Sequence, residues 1–350
     1  MQNKCICQRP FSEIEIHTDG NVYTCCPDYL KKYPIGNIFS VKSFDEIWYS
    51  QKAIDLRKKI FDTDYSFCNI DICNMKIKQE DIDLVERPPY PTLVRYAYDT
   101  QCNLKCMICR DHFFLNTEEE NKKYDQMIET LFLPILKNAK IMSITSAGEV
   151  TASKHSQKLI KKAALMYPDL KFEILTNGFL FNEKFVDELG ISDRIERVVV
   201  SVHAMKKNTY ETIMKGAKHD IVFKNIEWIC SLKKNQVVKD VCFIFVAFSL
   251  NYKEIPLFID FSLKNEVHPT VWEYRNHNRT QMDAQFVKYA VWQKTHPQYN
   301  DFVRIINDVK SKYKNQCRMP EIFNDLEPIG SFESLKNKIK FMYFRPKIRN

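Results

Sequence analysis

The sequence has no long apolar run, little glycine and no marked excess of either charge. No stretch approaches the about 18 consecutive apolar residues that a membrane span needs, which excludes a transmembrane helix. The opening MQNKCICQRP lacks the apolar core of a signal peptide, so the expected location is cytoplasmic. Lys and Arg number 52 against 44 Asp and Glu, a net charge of +8. So mild an excess suits an anionic small molecule and a nucleic acid equally and does not choose between them. The cysteine-rich segments lack interleaved basic and aromatic residues, and no helical stretch presents a dense Arg face, which argues against DNA as the partner. Apolar residues at 45% and aromatics at 13% make the chain globular, long enough for one large domain or two unequal ones.

Cysteine, by contrast, is abundant. In a chain without an export signal, twelve cysteines are expected to stay reduced rather than pair as disulfides. Cys5, Cys7, Cys25, Cys26, Cys68 and Cys73 form one set, Cys102, Cys106 and Cys109 a second, and Cys230, Cys242 and Cys317 stand apart. Two metal centres and three ordinary thiols is the economical reading. In the second set, DTQCNLKCMICRD, the C-x3-C-x2-C spacing lets three thiolates converge on one face of a tight loop, and thiolates select zinc or iron clusters. A four-iron cluster takes four ligands, so three cysteines leave one iron open. A closed zinc site would instead want a fourth ligand nearby, for which His112 is spaced.

TLVRYAYDTQCNLKCMIC reads as a strand from Thr92 to Tyr98 running straight into this loop. IMSITSAGEVTAS reads as a second strand followed by Gly148-Glu149, and KFEILTNGFLF as a third ending in Thr176-Asn177-Gly178. RVVVSVHAMKKNTYETIMKG supplies a fourth with Ser201 near its end, and DVCFIFVAFSLN and PTVWEYR a fifth and sixth. Between them, residues 118–137, 152–166, 182–189, 208–233 and 252–265 carry apolar positions at helical spacing. Such alternation implies a parallel sheet. Three of the seven glycines, Gly148, Gly178 and Gly216, fall in these stretches. Taken singly, Asn177-Gly178 reads as a turn, Ser201 as a polar residue in a buried strand, and Glu149 as part of a helix start that Thr151 or Ser153 would cap as well.

Together these stretches resemble the radical S-adenosylmethionine (SAM) superfamily over about residues 90–275. The resemblance implies an α/β fold, a partial (β/α)6 TIM-like barrel, with its active site at the strand C-terminal ends. It implies that Cys102, Cys106 and Cys109 ligate a SAM-binding 4Fe-4S cluster and that SAM chelates the open iron. One electron then cleaves SAM to methionine and a 5′-deoxyadenosyl radical, which abstracts a substrate hydrogen atom. Glu149, with Gly148, faces the methionyl ammonium, a charge-assisted pair. Ile108 contacts the adenine, and Asn177 and Ser201 approach the ribose and carboxylate. The chain departs from the family's Gly-Gly-Glu-Pro segment at Ala147 and Val150, and Ile108 stands where an aromatic residue is commoner.

The first cysteine set follows another template. CQRPFSEIEIHTDGNVYTCC holds a hairpin signal between alternating strands, followed by IGNIFSVKSFDEIWYSQKAIDLRKKI and CNIDIC. This resembles the SPASM domain, a small Cys-rich α+β module that carries auxiliary 4Fe-4S clusters, although here it precedes the barrel and its last cysteine pair is spaced by four residues. The resemblance implies two clusters in all, with Cys7, Cys25, Cys68 and Cys73 as preferred auxiliary ligands and Cys5 and Cys26 as substitutes. A structural four-cysteine zinc site is the rival reading. ERPPYP, residues 86–91, is a stiff connection, giving an expected division into 1–88 (auxiliary domain), 89–275 (barrel) and 276–350 (helical, basic extension).

The expected function is therefore hydrogen-atom abstraction followed by oxidation or epimerisation of a carbohydrate or other small molecule, with flavodoxin or ferredoxin as external electron donor. In an epimerase a cysteine returns the hydrogen atom, and Cys317, the least core-like of the three isolated thiols, is the candidate. Radical modification of a ribosomally made peptide is the alternative, although no segment of about 80 residues is left over to bind a leader. A non-catalytic iron–sulfur or zinc binding protein is the reading from another class. The tail, with Lys336, Lys338, Lys340, Arg345, Lys347 and Arg349, is expected to be solvated or to touch an acidic partner or membrane surface.

Overall fold

The computed structural model describes residues 4–27, 29–70, 73, 79–82, 88–109, 113, 115–144, 147–275 and 282–342. They belong to two compact units. The first comprises residues 1–103, 114–176 and 183–197, and the second 104–113, 177–182 and 198–350.

In the first unit, β1 (Lys4–Cys7) begins the chain, and β2 (Glu13–His17) and β3 (Asn21–Tyr23) form the expected hairpin. Its turn closes through Gly20, whose φ of +79° favours glycine and whose Cβ, were there one, would lie 2.3 Å from the Phe39 ring. The two-residue strand β4 (Gly36–Asn37) pairs with β3, and β5 (Gln79–Ile82) pairs antiparallel with β1. Helix Gln51–Phe61 starts at Ser50, whose hydroxyl caps it by accepting the Ala53 N–H.

The Thr92–Tyr98 stretch forms β6 (Leu93–Ala97), followed by β7 (Ile141–Ile144) and β8 (Lys171–Thr176), all parallel. Residues alternate between buried and partly exposed along β8, as a strand with one covered face requires. The helix expected over 118–137 starts with a Thr117/Glu120 capping box and widens into a π-turn at Ile128–Phe132. There the Phe132 carbonyl accepts the Tyr96 hydroxyl at 2.6 Å. Helix Lys154–Met166 is capped by Ser153.

β2 runs parallel to β6, with Glu13 opposite Leu93 and His17 opposite Ala97. The hairpin and the first barrel strand share one sheet, ordered β4-β3-β2-β6-β7-β8 in this unit.

β9 (Ile195–Ser201) starts in the first unit and ends in the second. There β10 (Asp240–Ala247) and β11 (His268–Glu273) run parallel, Cys242 opposite His268 and Ala247 opposite Glu273. Phe243, Phe245, Phe248 and Phe258 fill the core, and Phe302 of helix Tyr299–Tyr313 is buried with them. Beyond residue 276 the Arg318 N–H donates to Pro269 and its carbonyl accepts from Val271, extending the sheet beside β11. The helix expected over 208–233 is two, Lys207–Ile213 and His219–Lys234, broken where Gly216 takes a φ of +103°. Among the described residues no helix is long and apolar enough to cross a membrane.

Candidate functional site

In the first unit, β6 delivers the chain to the Cys102 end of the cysteine loop. Asp99 fixes that delivery. Its buried carboxylate accepts the Gln101 N–H at 3.0 Å, Asn116 Nδ2 at 3.2 Å, the Ser156 hydroxyl at 2.9 Å and the Ser153 hydroxyl. Ser153 is the cap of helix Lys154–Met166, so one carboxylate ties the loop to the start of that helix. The Gln101 carbonyl accepts the Glu149 N–H at 2.7 Å, bringing the Gly148-Glu149 segment against the loop. Gly148 makes this approach feasible, for a Cβ there would meet the carbonyl oxygens of Gln101 and Asp99 at 2.5 and 2.6 Å. Glu149 is 3% exposed, and its Oε1 accepts the Thr176 hydroxyl at 2.8 Å and the Thr151 hydroxyl at 3.0 Å. Since Ser153 caps the helix, Glu149 is not the cap.

In the second unit, Cys106 is half-buried and Cys109 exposed, joined by a turn in which the Cys109 N–H donates to the Cys106 carbonyl at 3.0 Å. The Lys105 and Met107 N–H groups donate to Lys215 and Ile213, at the break between the two helices. Ile108 is half-buried in this turn, and His112 lies outside the described residues. Asn177 accepts the Phe179 N–H at 3.0 Å and so serves the turn as expected, with Gly178 at a φ of +75°. Ser201 ends β9 and is half-buried.

His203, two residues on, was not singled out by the sequence. It is buried, accepts the Val246 N–H on Nδ1 at 3.2 Å, and burial holds its pKa down at about 4. Nor were Asp99 and Thr176 singled out as site residues. Their common signal was position, at or just beyond the C-terminal end of a strand.

Cys317 belongs to the second unit. It is buried at the opposite end of the strands, beside Arg318 and the N-terminal half of β11, and burial pushes its pKa up to about 12. Cys242 is the third residue of β10, where its thiol lies 3.4 Å from the Thr270 hydroxyl, and Cys230 belongs to helix His219–Lys234. None of the three reaches the strand C-terminal ends.

The auxiliary set is gathered in the first unit. Cys7 ends β1, Cys25 follows β3, and the turn holding Cys68 and Cys73 is fixed by Cys68 N–H to Tyr65, Asn69 N–H to Tyr29 and Cys73 N–H to Asn69 bonds. Cys7 feels the charge of Cys73, Cys25 that of Cys7, and Cys68 those of both Cys7 and Cys73, while burial pushes Cys25 up to about 12 and Cys68 to about 11. Cys5 lies on β1 opposite Asp81, and the Cys26 carbonyl closes a turn by accepting Tyr29 and Leu30. Among the described residues no three His, Cys, Asp or Glu side chains converge as around a single ion.

This arrangement agrees with two family models. One, of the radical SAM superfamily, matches residues 100–261, and the other, an iron-sulfur cluster-binding domain (SPASM), matches residues 5–74. The chain belongs to the radical SAM superfamily. Its SPASM domain lies N-terminal to the radical SAM domain, whose fold is α/β with parallel strands, β6 to β8 in the first unit and β10 with β11 in the second. A GTP 3',8-cyclase of Clostridium botulinum (strain Okra / Type B1) is 26% identical over 140 residues, which is 38% of this chain and 42% of the relative. That of strain Hall / ATCC 3502 / NCTC 13319 / Type A is 25% identical over the same length. The chain thus spans less than half the length of these curated relatives. Among solved structures, anSMEcpe with bound AdoMet aligns at a TM-score of 0.44 and 16% identity, covering 65% of this chain and 62% of that one. Coproporphyrinogen III oxidase (HemN) from Escherichia coli aligns at 0.47 and 12%, covering 64% and 52%.

Membership implies a 4Fe-4S cluster with SAM, and the SPASM domain an auxiliary iron–sulfur cluster. The residues present fit both. Three thiols on one loop, with a glycine cradle and a buried carboxylate at its Cys102 end, suit a cluster with one open iron and a ligand bearing an ammonium. Cys25, Cys68 and Cys73 are each within electrostatic range of Cys7, and four cysteines are the donor set that a fully ligated cluster takes.

Proposed function

We propose that the enzyme abstracts a hydrogen atom from a carbohydrate or other small molecule and that the outcome is oxidation. Residues 89–275 would serve SAM chemistry, with Cys102, Cys106 and Cys109 holding the SAM-binding cluster, and residues 1–88 would hold the auxiliary cluster through Cys7, Cys25, Cys68 and Cys73. When bound, SAM and its cluster supply a carbon-centred radical able to attack an unactivated C–H bond. The chain's own part is binding and orientation. Glu149, held by Thr151 and Thr176, would receive the ammonium, Asp99 and Gln101 set the loop against it, Ile108 would pack on the adenine, and Asn177 and Ser201 would line the ribose and carboxylate.

The observation that favours oxidation over epimerisation is the position of the isolated thiols. Cys230, Cys242 and Cys317 all lie away from the strand ends where a hydrogen atom would have to be returned, whereas Cys7, Cys25, Cys68 and Cys73 would supply a second redox centre. The external donor would be a flavodoxin- or ferredoxin-type protein, in a cytoplasmic setting that keeps the thiols reduced. The GTP 3',8-cyclase relatives bring nucleotides into the panel of small anionic substrates to be tried.

Anaerobic reconstitution followed by iron and sulfide counting, with 5′-deoxyadenosine and product measured across sugars, nucleotides and peptides, tests the reading. About eight irons per chain and SAM cleavage coupled to loss of two hydrogens from a small molecule support it. Zinc alone, absence of cleavage under strong reductant, or conversion of peptides only would overturn it.

A further inference from the structure

Arg9 stands at the auxiliary thiols in a way that no resemblance assigns. Its Nη1 donates to Cys25 Sγ at 3.2 Å, which places a guanidinium on one of the four thiols. The guanidinium is largely enclosed, its side chain 19% exposed, and its Nε is buried without a hydrogen-bond partner. Glu13 Oε2 lies 3.6 Å from that Nε and takes a 2.7 Å bond from Arg95 Nη1 on β6. Arg9 is therefore not neutralised by a carboxylate of its own: Glu13 is shared with a second arginine and bonds that one. A rigid Pro10 immediately after it and the helical turn Arg9–Ser12 hold the cation in place.

We propose that Arg9 sets the reduction potential of the auxiliary cluster, poising it to accept the electron left on the substrate after hydrogen abstraction. The proposal rests on the assignment of Cys7, Cys25, Cys68 and Cys73 as ligands. Reduction adds one negative charge to a cluster with four thiolates. A fixed cation donating to a ligand sulfur favours that added charge, more so in a partly desolvated site than in water. The substrate radical would lose a proton and one electron to become the two-electron-oxidised product, and a cluster held by these thiols would take up that electron and pass it to the oxidised form of the flavodoxin- or ferredoxin-type protein. Glu13 works in the opposite sense by offsetting part of the cation.

The test is an anaerobic redox titration of the reconstituted enzyme followed by electron paramagnetic resonance, with iron counted in each variant. Arg9→Gln keeps the iron but lowers the potential, so that at the wild-type midpoint the reduced-to-oxidised ratio falls about tenfold, equivalent to about 59 mV for one electron. Arg9→Lys recovers part of the shift, and the SAM-cluster signal stays where it was. Glu13→Gln, which leaves Arg9 in place, moves the potential upward, so the proposal stays testable even if Arg9→Gln fails to assemble its cluster. An auxiliary signal unmoved in Arg9→Gln, or moved the same way in Glu13→Gln, overturns the role of Arg9. If Cys68→Ala/Cys73→Ala retains every iron of the wild type, the ligand assignment fails instead, and the two failures are distinguishable.

Discussion

Glu149 and His203 are both buried ionisable side chains near strand ends, and their surroundings ask opposite things of them. Glu149 is oriented by the Thr151 and Thr176 hydroxyls, both of which donate to its Oε1. Glu149→Gln keeps the shape and removes the charge. A hydrogen bond to a charged group is worth about 1.5–3 kcal/mol, so SAM affinity should fall by about 10- to 100-fold while the melting temperature barely moves. Anaerobic calorimetry beside a thermal melt checks this, and a stability loss with intact SAM affinity would return Glu149 to a purely structural role. His203 is held neutral by burial, with a pKa of about 4. Above about pH 6.5 the folded and unfolded chains are both neutral there. Between 6.5 and about 4 only the unfolded chain takes the proton, so stability is present at neutral pH and is lost as pH falls. His155 and His296 are shifted downward too and add to the same window. His203→Gln should therefore lose about 1 kcal/mol less than wild type between pH 7 and pH 5.5, read from urea midpoints. Equal losses would show that the shift is not what the burial implies.

The strands were legible because alternation and β-branched content mark them directly, and β6 to β11 fall where the pattern put them. The helix over 208–233 is misread from sequence because its apolar spacing continues across Met214–Lys218. What breaks it is tertiary, since the Ile213 and Lys215 carbonyls are turned to the N–H groups of Met107 and Lys105 in the cysteine loop, and an unbroken helix would have spent them internally. Gly148 is a similar case, legible as a motif residue but not as a packing requirement. Its Cβ would strike two backbone carbonyls, which have no rotamer to escape into. Gly148→Ala should cost about 1–3 kcal/mol, within the range for overpacking, and should lower SAM affinity as well, because the loop and Glu149 must part. Gly330, where an added methyl would meet nothing within 4 Å, is the control, and Gly330→Ala should stay within about 0.5 kcal/mol of wild type in the same melts. Similar losses at both positions would mean that the close approach at Gly148 carries no energy.

At the scale of the molecule, the register of β2 against β6 decides what loss of the auxiliary cluster should do. Local pattern carries no record of which strand lies beside which, so this pairing was out of reach until the chain was folded. The hairpin between Cys7 and Cys25 is hydrogen-bonded to β6 over Glu13–His17, and Arg57 in helix Gln51–Phe61 donates to the Pro10 and Trp48 carbonyls at 2.9 and 2.7 Å. These bonds persist without a cluster. Cys68→Ala/Cys73→Ala should therefore leave a soluble chain in which only the Tyr29–Cys73 turns loosen, rather than an unfolded N-terminal segment. Amide hydrogen exchange should show unchanged protection in β2 and β6 and faster exchange near Asn69 and Cys73. Because β6 also feeds the Cys102 loop, SAM cleavage should continue, slow and uncoupled, while substrate oxidation stops for want of an electron acceptor. Oxidation that survives in a soluble variant shown spectroscopically to lack the second cluster would end the electron-acceptor reading. Loss of protection throughout β2 would show instead that the metal, not the sheet, holds the hairpin to the barrel.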